Sequence, residues 1–101
     1  MADTIYKERS QGTGATGRIV RVVGAVVDVE FPPDQMPAIY NALTVDAETP
    51  SGHFSTVLEV ETQLPGDIVR TVAMTSTDGL VRGVDAVDTG APLMMPVGQS
   101  T

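Results

Sequence analysis

The sequence predicts an all-β fold, a small six-stranded closed β-barrel behind a flexible N-terminal tail. Three observations carry that reading. Apolar residues recur with a period of two in short runs, and Gly or Pro cuts off each run. The runs follow one another at spacings of roughly ten residues, the rhythm of a sandwich or small barrel. No stretch keeps a 3.6-residue apolar period over about ten residues, which argues against helical and βαβ folds.

The elements follow in order. Residues 1–16 mix charges with small polar residues and show no apolar period, so they read as the flexible tail. Residues 17–96 are expected to form the barrel, and 97–101 to start a linker to a further domain. Residues 18–23 make the first strand and 25–31 the second, in which Val27, Val29 and Phe31 face one way and Asp28 and Glu30 the other. Gly24 between them marks a bulge or tight bend. Pro32-Pro33 ends the second strand, because proline has no N–H to give the ladder. Residues 35–40 are expected to make one helical turn.

Alternation resumes at 42–48, with Leu43, Val45 and Ala47 inward and Asp46 and Glu48 outward. Pro50-Ser51-Gly52-His53 reads as a turn. Residues 55–62 follow, with Leu58 and Val60 inward and Glu59 and Glu61 outward. After the turn Leu64-Pro65-Gly66-Asp67 comes a strand at 68–74. Residues 75–90 read as loop, and Leu93-Met94-Met95 as a last, weak strand.

Composition narrows the function. Hydrophobic residues make up 42% of the chain, aromatic residues only 4%, and the aromatics are Tyr6, Phe31, Tyr40 and Phe54. The core must be aliphatic. A net charge of −7 repels phosphate backbones and anionic lipid, so no nucleic-acid partner is expected. Cysteine is absent, which excludes disulfides, thiolate metal sites and thiol nucleophiles. No apolar run approaches the roughly 20 residues of a membrane span. The N-terminus lacks the layout of a secretory signal, and the chain is expected in the cytoplasm.

Few motifs carry chemistry. Gly12-Thr13-Gly14-Ala15-Thr16-Gly17 spells G-x-G-x-x-G, but a charged tail precedes it and a Val-rich strand follows. A dinucleotide site needs a strand before it and a helix after, so linker glycines are the better reading. No G-x-x-x-x-G-K-[ST] loop occurs, and Lys7 is the only lysine. His53 is the only histidine and reads as an exposed turn residue.

The outward acids are more informative. If Val45 pairs with Val60, Asp46 opposes Glu59 and Thr44 opposes Glu61, leaving like charges across a ladder. That flank suits a basic neighbour or a hard cation, or is simply a solvated face. In residues 68–74, Val69, Thr71 and Ala73 share one face, while Ile68, Arg70, Val72 and Met74 share the other. Both faces are largely apolar. The outer one is covered either by loops or the short helix of the same chain, or by another subunit.

Taken in sequence, the segments resemble a known family. They are residues 17–31, from Gly17-Arg18-Ile19-Val20 to Val27-Asp28-Val29-Glu30-Phe31, then Met36-Pro37-Ala38-Ile39-Tyr40-Asn41-Ala42-Leu43, Leu58-Glu59-Val60 and Val69-Arg70-Thr71-Val72-Ala73-Met74. Asp78-Gly79-Leu80-Val81-Arg82-Gly83, Asp88-Thr89-Gly90-Ala91-Pro92 and Pro96-Val97-Gly98 continue the likeness. Together they look like the opening of the catalytic beta subunit of F-type ATP synthase. The resemblance implies a six-stranded barrel that joins alpha and beta barrels of an alternating hexamer into a crown. It implies a longer subunit whose later domains handle ATP, ADP and magnesium, in a complex held at the cytoplasmic face of a membrane that the barrel itself does not touch. No catalytic, cofactor or metal residue of that family has a counterpart here. Arg70, Val72, Met74, Asp46 and Glu59 are the expected interface residues. The competing expectation is a free-standing small barrel that binds a ligand or protein.

Overall fold

The computed structural model describes residues 14–50 and 52–92. Six strands, β1 (Thr16–Val23), β2 (Val26–Glu30), β3 (Asn41–Thr49), β4 (Gly52–Leu64), β5 (Ile68–Ala73) and β6 (Asp85–Pro92), close into a barrel in the order β1-β2-β5-β4-β3-β6. Every pairing is antiparallel. Strands β3, β4 and β5 are joined by hairpins and β2 returns beside β5, which is a Greek key. The seam is the β1–β6 ladder, which closes the sheet on itself.

The alternation places the core where the sequence puts it. Val27, Val29, Leu43, Val45, Leu58 and Val60 are all at most 1% exposed. Phe31 and Ile19 add the largest side chains, and Leu80 reaches in from the crossing between β5 and β6. Thr71 is the buried polar member of the inner face of β5, and its hydroxyl donates to the Val27 carbonyl at 2.8 Å. That bond answers the penalty of burying a hydroxyl.

Three irregularities bend the ladders. In β1, Ile19 pairs with Val29 and Arg21 with Asp28, so Val20 is the extra residue. Gly17 and Ile19 point inward before the bulge, and Val22 packs on the core after it. Gly24 lies in a tight two-residue turn between the paired Val23 and Val26, at a φ of 60° that glycine adopts without strain.

Several expectations are corrected. The last strand is β6 at Asp85–Pro92, most of it in the stretch read as loop, while Leu93, Met94 and Met95 lie outside the described residues. Its alternation is inverted: Ala86 and Asp88 are buried and Val87 is exposed. The helical turn expected at 35–40 is a 3₁₀ turn at Pro33–Gln35, where proline presets φ at its start. The β3–β4 register also differs. Val45 pairs with Thr56, and Thr49 pairs with Gly52, so the connection is two residues long. The shift is even, so each residue keeps its expected face but changes partner. Residues 1–13 of the expected tail lie outside the described residues; Gly14 and Asp88 already share a backbone bond, and Thr16 opens β1.

Candidate functional site

The outer wall formed by β2, β5, β4 and β3 carries the side chains that the sequence marked as interaction candidates. Arg70 stands across the ladder from Asp28. Its guanidinium holds that carboxylate with two bonds, Nε to Oδ1 at 3.0 Å and Nη2 to Oδ2 at 3.1 Å. Asp28 is only 6% exposed although it faces outward, because Arg70 lies over it. The carboxylate beside it pushes the Arg70 pKa up. The charge of Arg70 is thus answered within the barrel, a partner the sequence did not reveal.

Next along β5, Val72 lies between Val26 of β2 and Glu59 of β4 in the ladders, and is half-buried. Met74 follows the strand at 41% exposure, and its N–H donates to the Val57 carbonyl at 2.9 Å. Val57, opposite Thr44, extends the same apolar strip toward β3. Sequence reading overlooked Val57, although its place between Ser55 and Glu59 on the outward parity of β4 was the available signal.

The acidic flank is arranged differently from the expectation. Asp46 does not oppose Glu59: it pairs with Ser55, and Glu59 pairs with Ala42. The like charges that do meet are Glu59 and Glu61, two apart on one strand, and Glu59 raises the pKa of Glu61 by hydrogen bonding to its protonated form. Asp46 accepts a bond from Ser55 Oγ at 2.6 Å and lies 3.2 Å from His53 Nε2. Glu48 Oε2 lies 2.8 Å from His53 Nδ1. The Ser55 bond, then that of His53, lowers the pKa of Asp46, while Glu48 first and Asp46 second raise that of His53. His53 is exposed, as expected, but is the second residue of β4 rather than part of a free turn.

Ser55, His53 and Glu48 invite comparison with a hydrolytic triad, since Ser55 Oγ is 3.2 Å from Nε2. The chemistry does not fit. Ser55 gives its proton to Asp46, which also occupies Nε2, so the ring is not free to act as base toward the hydroxyl. All four side chains are exposed, without the water-excluded setting that such catalysis uses. The two carboxylates sit at opposite ring nitrogens and share no point for a cation, and no cluster of metal-ligating side chains occurs among the described residues.

The glycine pattern has a packing role at its last position. A Cβ on Gly17 would lie 2.6 Å from the Glu30 carbonyl and 2.7 Å from the Phe31 ring. Gly17 is there to let β1 close on Phe31.

What remains is a barrel whose distinctive outer feature is an apolar strip between an ion pair and an acidic flank. Its sequence was compared with models of known families. Residues 19–90, running from β1 into β6, match the model for the ATP synthase alpha/beta family, beta-barrel domain. With the matched span covering the greater part of the chain and the closed six-stranded barrel in place, the chain belongs to the ATP synthase alpha/beta family and carries its β-barrel domain.

Proposed function

We propose that this barrel is the assembly domain of a beta-type catalytic subunit, set beside alpha-type barrels in an alternating hexamer. The parent enzyme would make ATP from ADP and phosphate, driven by a transmembrane proton gradient, as a peripheral complex at the cytoplasmic face of the membrane. The beta-type reading rests on the likeness of the run from Ile39 to Leu43. The observation that carries the assembly role is the apolar strip of Val57, Val72 and Met74 on the outer wall, a surface that a neighbouring barrel would cover. The acids Asp46, Glu48, Glu59 and Glu61 beside it would face basic residues of an alpha-type neighbour, selecting the partner more than tightening the contact. One barrel-to-barrel contact would fall below the roughly 1,000 Å² of a stable interface, so the barrel alone would be monomeric or weakly associating.

The test places Val72→Glu or Met74→Glu in the full-length subunit and measures hexamer formation with its alpha partner by native mass spectrometry. Loss of the hexamer, with the β-sheet circular dichroism retained, is the expected result. Normal assembly in both variants would put the contact elsewhere on the barrel. A full-length chain that never pairs with an alpha-type subunit would favour a free-standing interaction module instead.

A further inference from the structure

The outer half of the β3–β4 hairpin leaves the barrel. Strand β3 pairs with β6 only through Asn41, Leu43 and Thr44, and β4 pairs with β5 only from Leu58 onward. Asp46, Ala47, Glu48 and Thr49 therefore pair only with Ser55, Phe54, His53 and Gly52. A two-stranded ribbon without further neighbours is marginal in water, so its order depends on side chains. We infer that the outer face of this ribbon carries a proton-operated clasp: the imidazolium of His53 ties Asp46 and Glu48 of one strand to the other, and loss of its proton lets the ribbon loosen.

The donors and acceptors of the three side chains require the proton. Ring nitrogens Nδ1 and Nε2 each lie within hydrogen-bond distance of a carboxylate oxygen, at 2.8 Å and 3.2 Å. An ionised carboxylate only accepts, and a neutral imidazole has one N–H to give. Both bonds can be made at once only by the protonated ring. Ser55 donates to the same Asp46 oxygen and so fixes the carboxylate in place without competing for a proton from the ring.

The charge balance points the same way. With the ring protonated the three groups sum to −1, and with it neutral to −2. The cleft beside the ribbon, lined by Glu48, His53, Phe54, Gly79 and Val81, brings one more charge from the facing loop, the acid Asp78, and no cation. Nothing else in that cleft offsets the loss of the imidazolium.

On the inner face the ribbon is held by Phe54, whose ring lies where a Cβ on Gly79 would be, 2.7 Å away. Two further side-chain bonds join the ribbon, Ser55 Oγ to Asp46 Oδ1 at 2.6 Å and Thr49 Oγ1 to the Gly52 carbonyl at 2.7 Å, and neither hydroxyl donor titrates in this range. His53 has its pKa raised above the ordinary 6.5 by Glu48 first and Asp46 second. A raised value means the clasp contributes fully below pH 6.5 and fades as pH climbs through the folded-state value.

The experiment uses the full chain, in which His53 is the only histidine and gives one unambiguous ring signal. Its titration is followed by NMR, and amide exchange is measured across the same pH range after correction for the intrinsic rate. The expected result is a midpoint above about 6.5, with several-fold loss of protection at residues 46–49 and 53–55 above it and unchanged protection in β5. Glu48→Gln should lower the midpoint, and His53→Gln should abolish the pH dependence of ribbon exchange. A midpoint at or below the ordinary value, or ribbon protection equal on both sides of it, would overturn the clasp.

Discussion

Asp28 keeps a carboxylate almost out of water on the outer wall because Arg70 covers it with a two-bond fork. Breaking such a pair from one side leaves the other charge without a partner, which is worse than losing the pair altogether. Arg70→Met should therefore destabilise the barrel by about 1–3 kcal/mol, less than a deep ion pair because Arg70 is itself half exposed. Urea unfolding measures it, and the double variant Asp28→Leu with Arg70→Met should recover part of the loss. Tyr40 shows the opposite kind of strain. It occupies a φ of 78°, stabilised by bonds from its N–H to the Val60 carbonyl at 2.7 Å and from the Asn41 N–H to the Ala38 carbonyl at 3.0 Å. A side chain there clashes with its own backbone, and Tyr40 is 60% exposed, so little packing compensates. Tyr40→Gly should raise stability by roughly 0.5–1 kcal/mol once the extra chain entropy of glycine is set against the relieved strain, visible as a higher Tm.

Strand β6 is the element that the sequence concealed, and the reason is physical. Pattern reading assumes that the apolar member of each pair turns inward. In β6 the inward members are Ala86 and Asp88, and Val87 takes the solvent side. Asp88 is tolerated inside because it accepts from the Asn41 amide at 3.0 Å and from the Gly90 N–H at 2.9 Å, knitting β6 to the start of β3. Asp88→Ala would take this acceptor from the buried Asn41 amide and should destabilise by about 1–3 kcal/mol in chemical unfolding. Where alternation was ordinary, as in β2, β3, β4 and β5, the facing was legible residue by residue. Register was not, since the length of the β3–β4 connection decides it and Pro50-Ser51-Gly52-His53 allows more than one turn. The same error hid the partners of Asp46 and His53, and the Asp28–Arg70 pair stayed out of sight because β2 and β5 are not sequence neighbours.

At the scale of the molecule, six strands share one core with little to spare. Val29 is fully buried in β2 and Val45 almost so in β3. Val29→Asp should abolish the cooperative melt, because a charge without a partner would sit where all strands converge; a sharp thermal transition in that variant would mean that the core tolerates water. Closure rests on the β1–β6 ladder, where Thr16 pairs with Val87 and Arg18 with Asp85. Because that ladder is antiparallel, the chain enters β1 and leaves β6 at the same end of the barrel, with Gly14 bonded to Asp88. This has a mechanical meaning. Tension applied between residues 14 and 92 acts across the ladder from one end and breaks its bonds singly, like a zip, instead of shearing them all together. The barrel is therefore soft to a pull on its own two ends.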